Sequence, residues 1–382
     1  MKTCDVAVIG AGVFGAWTAL YLARRGKRVI LLEAYGPGHS RSSSGDESRI
    51  IRMGYGKEEI YTRWSQRSLM RWKELFAATR TEALFQQTGV LWLAGEDETR
   101  LNETRATLTR CGVVFRDFDL PALRARFPQI GLDAIRSAIL EPQSGVLMAR
   151  RATAVTVAEA VKHGATYRHA LVEEPQGKGA LAAIKTTSGE KVSAGQFVFA
   201  CGSWLAKLFP EVVGPRLFVT RQEVFYFGLP AGDSRFVPPE LPTFLFQGDE
   251  SYGMPDLESR GLKIAFDLHG DPVDPDVQSR VVSEESAQKM RAYVARRFPG
   301  LKDAPIAETR VCQYENTSHG HFLIDQHPEM ENVWLAGGGS GHGFKHGPAV
   351  GEYVTAQLLG EAPAESRFSL ATKETVQQRA VY

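Results

Sequence analysis

No apolar run in these 382 residues approaches the roughly 20 needed to cross a bilayer as a helix. Cysteine is scarce: Cys4, Cys111, Cys201 and Cys312 lie far apart and form no C-x-x-C pair. That spacing argues against both a disulfide framework and a structural zinc site. Charge of one sign is also lacking, because the formal net charge is +1, so no bulk field favours nucleic acid or an anionic membrane. The local basic cluster Arg24, Arg25, Lys27 and Arg28 reads as a solvated helix end. No internal repeat is visible. A strand starts within a few residues of Met1 and leaves no room for the basic region and apolar core of a signal peptide. These absences together predict a cytoplasmic protein with neither a nucleic-acid nor a membrane partner.

What is present is an ordinary globular composition, 43% hydrophobic and 23% charged, on a chain long enough for two domains. Asp5-Val-Ala-Val-Ile-Gly10 reads as a buried parallel strand. Gly12–Gly26 reads as a helix with Trp17, Leu20, Tyr21 and Ala23 on its apolar side, and Arg28–Glu33 as a second strand. Further helices are expected at Lys57–Thr79, Asp97–Arg110, Arg151–His163, Ser283–Phe298 and Ala349–Leu359. Strands are expected at Thr88–Ala94, Thr166–Val172, Leu181–Thr187, Gln196–Ala200, Arg221–Phe227, Gly261–Leu268 and Val333–Ala336. Rossmann-like pieces therefore occur at the start, middle and end of the chain. The simplest architecture is α/β: a discontinuous nucleotide domain (1–85, 146–215 and 306–382) with an α+β substrate domain, its sheet mixed antiparallel, inserted twice (86–145 and 216–305).

Gly10-Ala-Gly12-Val13-Phe14-Gly15 joins the first strand to the first helix as a G-x-G-x-x-G turn. Gly10 permits the tight turn, Gly12 lets backbone N–H groups approach a pyrophosphate, and Gly15 lets helix pack on strand. The helix N-terminus adds a partial positive charge. Glu33 closes the second strand, where a carboxylate would accept both ribose hydroxyls. This unit alone does not separate FAD from NAD. A polar glycine/serine segment, Gly36–Gly45, then replaces a second regular βα pair, and a late glycine-rich turn, Gly337–Gly343, follows a buried strand. Both favour FAD, the late turn as a further backbone cradle.

These blocks resemble the D-amino-acid-oxidase-like flavoproteins, and within them the monomeric sarcosine oxidase and N-methyltryptophan oxidase group. The likeness runs through Gly45-Asp-Glu-Ser-Arg49-Ile-Ile-Arg52, Thr220-Arg-Gln222, Gly261-Leu-Lys263, Val311-Cys312-Gln-Tyr314-Glu-Asn-Thr317, Phe322-Leu-Ile-Asp325 and Ser340-Gly-His342-Gly-Phe-Lys345. It implies a Rossmann-like FAD domain whose cofactor contacts include Ala34, Ser43, Ser44, Arg49, Val172, Cys201, Gly202, Trp204, Gly339, Gly341, His342, Gly343, Phe344 and Lys345, beside the fingerprint residues. It also implies a thioether from Cys312 to the flavin, although the residues alone favour a small buried hydrophobe there. Arg52 and Lys345 become a clamp for a substrate carboxylate; the competing readings are a surface ion pair and a helix-start cation. By period-2 alternation Lys263, Ala265 and Asp267 share one face, and an exposed polar face is the bland reading. The resemblance instead puts Lys263 near the flavin, where a cation stabilises superoxide. Tyr252 and Tyr314 map to the border of the substrate pocket.

Two departures bear on the substrate. Asp267 stands where sarcosine-type enzymes carry a histidine, with His269 two residues on and, if the strand continues, on the same face. A flavin-loop histidine is also replaced around Ser44 and Gly45, with one extra residue before Arg49. A bulkier or more cationic amino acid is the resulting expectation, with Asp267 as its counter-charge. The implied activity is oxidation of a small N-substituted amino acid to an imine, with oxygen reduced to peroxide, by a monomer. The alternatives are a flavin dehydrogenase passing electrons to a quinone or protein, an NAD-dependent dehydrogenase, and a flavoprotein subunit of a larger oxidase. His319, His321 and His327 lack metal-site spacing and read as loop residues.

Overall fold

The computed structural model describes residues 4–378. Its first layer is a six-stranded sheet built on β1 (Cys4–Ile9) and β2 (Val29–Glu33), joined by α1 (Val13–Arg24). In spatial order the strands are Leu323–Gln326, Val333–Gly337, Ala194–Phe199, β1, β2 and Thr166–His169. All pairs are parallel except the edge pair Leu323–Gln326 with Val333–Gly337. Both β1 and β2 are apolar along nearly their whole length because helices and loops cover both faces of a parallel sheet. Ala7, facing Phe197 on one side and Ile30 on the other, sits at the centre of the sheet.

The helix Gly347–Leu358 packs across α1 on one face of this sheet. Their approach is close because two glycines of that helix lie over Trp17. A Cβ on Gly351 would fall 2.6 Å from the Trp17 carbonyl carbon. Trp17 is fully enclosed there, against Trp72 of α2 (Glu59–Thr79).

The second layer is an eight-stranded mixed sheet. Its order is Ile306–Asn316, Phe218–Phe227, Leu262–Phe266, Ser251–Met254, Thr243–Phe246, Val90–Ala94, Ser137–Glu141 and Arg116–Asp119. Only Thr243–Phe246 with Val90–Ala94 is parallel. Helix Glu284–Arg297 covers the face that carries Phe225, Phe244, Leu262 and Ile264.

Most expected elements occur within a few residues of their expected ends. Three differences concern the site. The 11-residue strand Ile306–Asn316, which falls in the range assigned to the nucleotide domain, pairs with Phe218–Phe227 in the other sheet and sets Cys312 opposite Gln222. Its outer half alternates charged residues, so it carries no run of apolar residues to announce a strand. The hairpin Thr243–Phe246 and Ser251–Met254 was not anticipated. Finally, the strand expected to run to Leu268 ends at Phe266, and Leu268 is exposed.

Candidate active site

The two sheets meet along a cavity of about 390 Å³. Lining it are Gly10, Gly12, Val13, Phe14, Glu33, Ala34, Ser43, Ser44, Arg49, Val172, Cys201, Gly202, Trp204, Cys312, Gly339, Gly341, His342, Gly343, Phe344 and Lys345, together with Arg52, Tyr252, Asp267 and Tyr314. Gly15 stands behind the wall: a Cβ there would lie 1.8 Å from the Gly10 carbonyl oxygen, so the glycine is needed for helix–strand contact. Lys263 and His269 do not face the cavity.

At one end the backbone forms a cradle. Gly10 has φ +99°, and a Cβ on it would come within 2.3 Å of the Ala200 carbonyl oxygen. Gly12 caps α1 without a side-chain hydrogen bond, which leaves first-turn N–H groups directed at the cavity; Val13 N–H donates to Ser44 Oγ at 3.1 Å. Glu33 holds the turn, accepting from Ala11 N–H at 2.7 Å and Tyr35 N–H at 3.0 Å. Each of its oxygens keeps a lone pair for a ribose hydroxyl. At the rim, the Arg41 guanidinium lies 4.6 Å over the Tyr35 ring and 6.0 Å from Trp204. Trp204 in turn donates to Asp276 at 2.7 Å.

Glu315 was missed by sequence reading. Its Oε1 accepts from Gly339 N–H at 3.3 Å, while its buried Oε2 makes no well-formed hydrogen bond among the described residues, with the Ser203 hydroxyl close enough to act on the carboxyl. Burial pushes this carboxyl up to about 7. A buried oxygen without a well-formed hydrogen bond in a glycine-lined cradle leaves room for a polar ligand to complete it, and these residues fit FAD.

A second group surrounds Cys312. The thiol lies 3.4 Å from the Arg49 guanidinium, which also donates to Ser43 O and pairs with Asp46. Asp46 takes the Lys263 ammonium at 2.6 Å, and Lys263 further donates to Ser48 O at 2.8 Å. Lys263 is 1% exposed, which removes the exposed-face reading, but its ammonium points to this cluster behind the cavity wall. Burial pushes it down to about 8 against the pull of Asp46. Burial would raise Asp46, yet Lys263 and Arg49 outweigh it and hold its carboxyl well below the usual range.

The third group is cationic. Arg52 and Lys345 are each 4% exposed, so neither is a surface ion pair. The Arg52 guanidinium stacks 4.3 Å from the Tyr55 ring and 4.8 Å from Trp92, and it donates to Gly54 O. Lys345 lies in the turn Phe344–His346 just before the last helix. Its ammonium donates to Tyr55 Oη and His342 O, both at 2.9 Å. Burial and the nearby Arg52 charge push Lys345 well below an ordinary lysine, a penalty that a bound anion would relieve. Tyr55 Oη also lies 2.8 Å from His346 Nε2. Glu141 fixes the backbone that follows Arg52, accepting from Met53 N–H at 2.7 Å, Gly54 N–H at 2.9 Å, Trp92 Nε1 at 2.7 Å and Ser144 Oγ at 2.5 Å. Neither Tyr55 nor Glu141 had a local sequence signal.

Asp267 follows the strand end at Phe266. Its N–H donates to Glu250 O at 2.6 Å, and its Oδ1 accepts from Tyr314 Oη at 2.9 Å. Burial raises its carboxyl to about 6, against the Tyr314 bond and the charge of Arg52. His269 instead pairs with the Gln377 side chain, so it does not take the place of the missing histidine; the alternation that would have put it there stops with the strand. His321, expected as a loop residue, pairs with Tyr61 Oη at 2.9 Å in the aromatic cluster behind Lys345. No helix among the described residues is long and apolar enough to cross a membrane.

A largely parallel sheet with a glycine cradle at its strand ends, facing a mixed sheet across a cavity lined by the buried Arg52 and Lys345, is the arrangement of a flavin-dependent oxidoreductase. The chain belongs to the DAO family of FAD-dependent oxidoreductases, whose model matches residues 5–357. It is 33% identical over 357 residues to the peroxisomal sarcosine oxidase of Homo sapiens, covering 92% of this chain and 90% of that one. It is 31% identical over 374 residues to a monomeric sarcosine oxidase of Bacillus sp. strain NS-129, covering 96% and 95%. The fold matches the structure of fructosyl peptide oxidase from E. terrenum with a TM-score of 0.85 at 20% identity, covering 100% of this chain and 96% of that one.

Proposed function

We propose that this protein is an FAD-dependent oxidase of small N-substituted amino acids that converts a C–N single bond to an imine, with oxygen as final acceptor. The observation that carries the reading is a single cavity with a dinucleotide cradle at one end and two buried cations, Arg52 and Lys345, at the other. Burying a cation is costly, and a substrate carboxylate would give both of these a charged hydrogen-bond acceptor. Arg52 offers a planar fork for two parallel hydrogen bonds, and Lys345 a point charge. Orientation by these two side chains converts substrate binding into alignment of the reacting C–H bond. Bound FAD supplies the two-electron acceptor that the protein's side chains lack.

The residues that would hold FAD are the Gly10–Gly15 turn, Glu33, Arg49 and the Gly339–Gly343 turn. Cys312 is our candidate for a covalent link; its burial, its place on the cavity wall and its contact with Arg49 support this. Lys263 acts through Asp46 and Arg49, as a positioning residue for that end of the site. Relatives named as sarcosine oxidases favour oxygen as acceptor, a small amino-acid substrate and, from the Bacillus name, a monomer. The four unpaired cysteines accord with a reducing, cytoplasmic setting.

The test is a peroxide assay of the purified protein over a panel of N-methyl and cyclic amino acids. Peroxide release is expected, and Arg52→Met should raise KM about 100-fold or more through loss of a charge-assisted contact. Acid precipitation addresses the link: flavin should stay in the pellet of the wild type and appear in the supernatant of Cys312→Ser. Flavin in the wild-type supernatant removes Cys312 from the proposal.

A further inference from the structure

We propose that Asp267 receives the ammonium group of the substrate and takes its proton, so that the cavity binds its substrate as a zwitterion and prepares the amine for oxidation. This deepens, and rests on, the amino-acid oxidase reading above.

Four carboxylates line the cavity: Glu33, Asp267, Asp276 and Glu315. Glu33 is engaged by the Ala11 and Tyr35 N–H groups, Asp276 by Trp204 and Lys207, and Glu315 lies against Gly339 in the cradle. Asp267 alone shares its stretch of wall with the two cations: the charges of Arg52 and Lys345 both act on it. Its Oδ1 is held by Tyr314, and no bond to its Oδ2 is found among the described residues.

The charge pattern selects a class of ligand. A plain carboxylic acid would take up the Arg52 and Lys345 charges that now act on Asp267 and would set a like charge beside it. An amino-acid zwitterion presents one charge of each sign about one carbon apart and matches all three groups. The reaction then requires the nitrogen lone pair, whereas an aliphatic amine is protonated up to about pH 10. Transfer is balanced: the substrate N–H bond breaks, an O–H bond forms on Asp267, and no electron moves. Enclosure narrows the gap between donor and acceptor, because it lifts Asp267 toward neutrality.

The groups facing Asp267 are Tyr314 from the strand Ile306–Asn316, Tyr252 from Ser251–Met254, Arg52, Arg100 from the helix Thr99–Arg110, and Lys345. Burial keeps both tyrosines protonated far above neutrality, while burial and the Arg52 charge push Lys345 well below an ordinary lysine. Lys345 is therefore the other candidate acceptor among them, and loss of the acid limb in Asp267→Asn is what assigns that limb to Asp267.

Two measurements on the holoenzyme test this. The kcat/KM profile for an oxidised N-methyl amino acid should be a bell, rising through about pH 6 as Asp267 ionises and falling near pH 10 as the free amine loses its proton. In Asp267→Asn the acid limb should disappear, with a loss of about 10²–10⁴-fold at neutral pH and a rate that climbs toward pH 10. A wild-type profile that climbs steadily to pH 10, or an Asn variant within about threefold of wild type, overturns the proposal. The second measurement compares binding of two inert probes, glycine betaine and its uncharged carbon isostere 3,3-dimethylbutanoate, by titration calorimetry. The wild type and Asp267→Glu should prefer betaine by about tenfold or more, and Asp267→Asn should not.

The isosteric Asn variant still accepts from Tyr314, and unchanged flavin content and Tm establish that it is folded. A betaine preference that depends on Asp267 in a protein that oxidises no amino acid would sink the oxidase reading and leave the ammonium site standing. Oxidation without that preference would sink the ammonium site alone.

Discussion

Glu141→Gln separates the frame of the site from its chemistry. Glu141 does not line the cavity, although its charge acts on Lys345, and four donors converge on it: Gly54 N–H and Trp92 Nε1 on Oε1, Met53 N–H and Ser144 Oγ on Oε2. An amide keeps one acceptor oxygen and turns an NH₂ group toward the other pair. If the amide nitrogen takes the Oε2 side, the Ser144 hydroxyl rotates to accept from it, and one charge-assisted bond is lost outright. The remaining bonds weaken because their acceptor no longer carries charge. At about 1.5–3 kcal/mol for a bond to a charged group, a loss of about 3 kcal/mol follows. That corresponds to a fall in Tm of roughly 6 °C or more, at about 2 °C per kcal/mol for a chain of this size. Met53 and Gly54 follow Arg52 directly, and the Arg52 guanidinium donates to Gly54 O. The substrate clamp should therefore loosen, with KM rising about tenfold and kcat changing less. Thermal melting followed by flavin fluorescence, together with steady-state kinetics, reads both effects. A variant that melts within about 2 °C of wild type with unchanged KM would refute the assignment of Glu141 as the support of Arg52.

Gly351→Ala improves intrinsic helix propensity by about 1 kcal/mol, but its methyl would meet the Trp17 backbone at 2.6 Å. Overpacking should win at about 1–3 kcal/mol, so Tm should drop; a rise would mean that the two helices separate freely. Lys263→Met leaves Asp46 with Arg49 as its remaining cationic partner and should lower stability by about 3 kcal/mol. Asp46→Asn on the same background should restore part of that loss, and additive single effects in the cycle would argue against the pair. Glu315 is raised to about 7 from an ordinary 4.5, so its contribution is fully present below about pH 4.5 and is lost as pH rises through 7. In flavin-free protein, Glu315→Gln should therefore gain on wild type between pH 5 and pH 8 in paired Tm measurements. A parallel pair of Tm curves would contradict this.

The nucleotide end of the site was readable because its determinants are local. Gly10, Gly12 and Gly15 must fall within six residues, and Glu33 must end the next strand. The substrate end was less so, for reasons visible in particular residues. Alternation placed Lys263 and Asp267 on one face of a strand, but periodicity cannot say what the face meets. Asp46, 217 residues away, turns an apparently exposed lysine into a buried one. The strand's end at Phe266 separated Asp267 from His269, a boundary no local residue marks. Ile306–Asn316 was not among the expected strands: its outer residues alternate in charge without an apolar run, and its long pairing with Phe218–Phe227 makes it a strand. Glu141 and Glu315 are defined by contacts from distant segments, so the sequence offers no local sign of either.

The most direct test is an anaerobic one, in which the yellow protein is mixed with N-methyl and cyclic amino acids and its flavin absorbance followed. Bleaching by these compounds, absent with the matching N-free carboxylic acids and reversed by air with release of peroxide, is the predicted result. A flavin that stays oxidised with every member of the panel would contradict the assignment of this cavity to amino-acid oxidation.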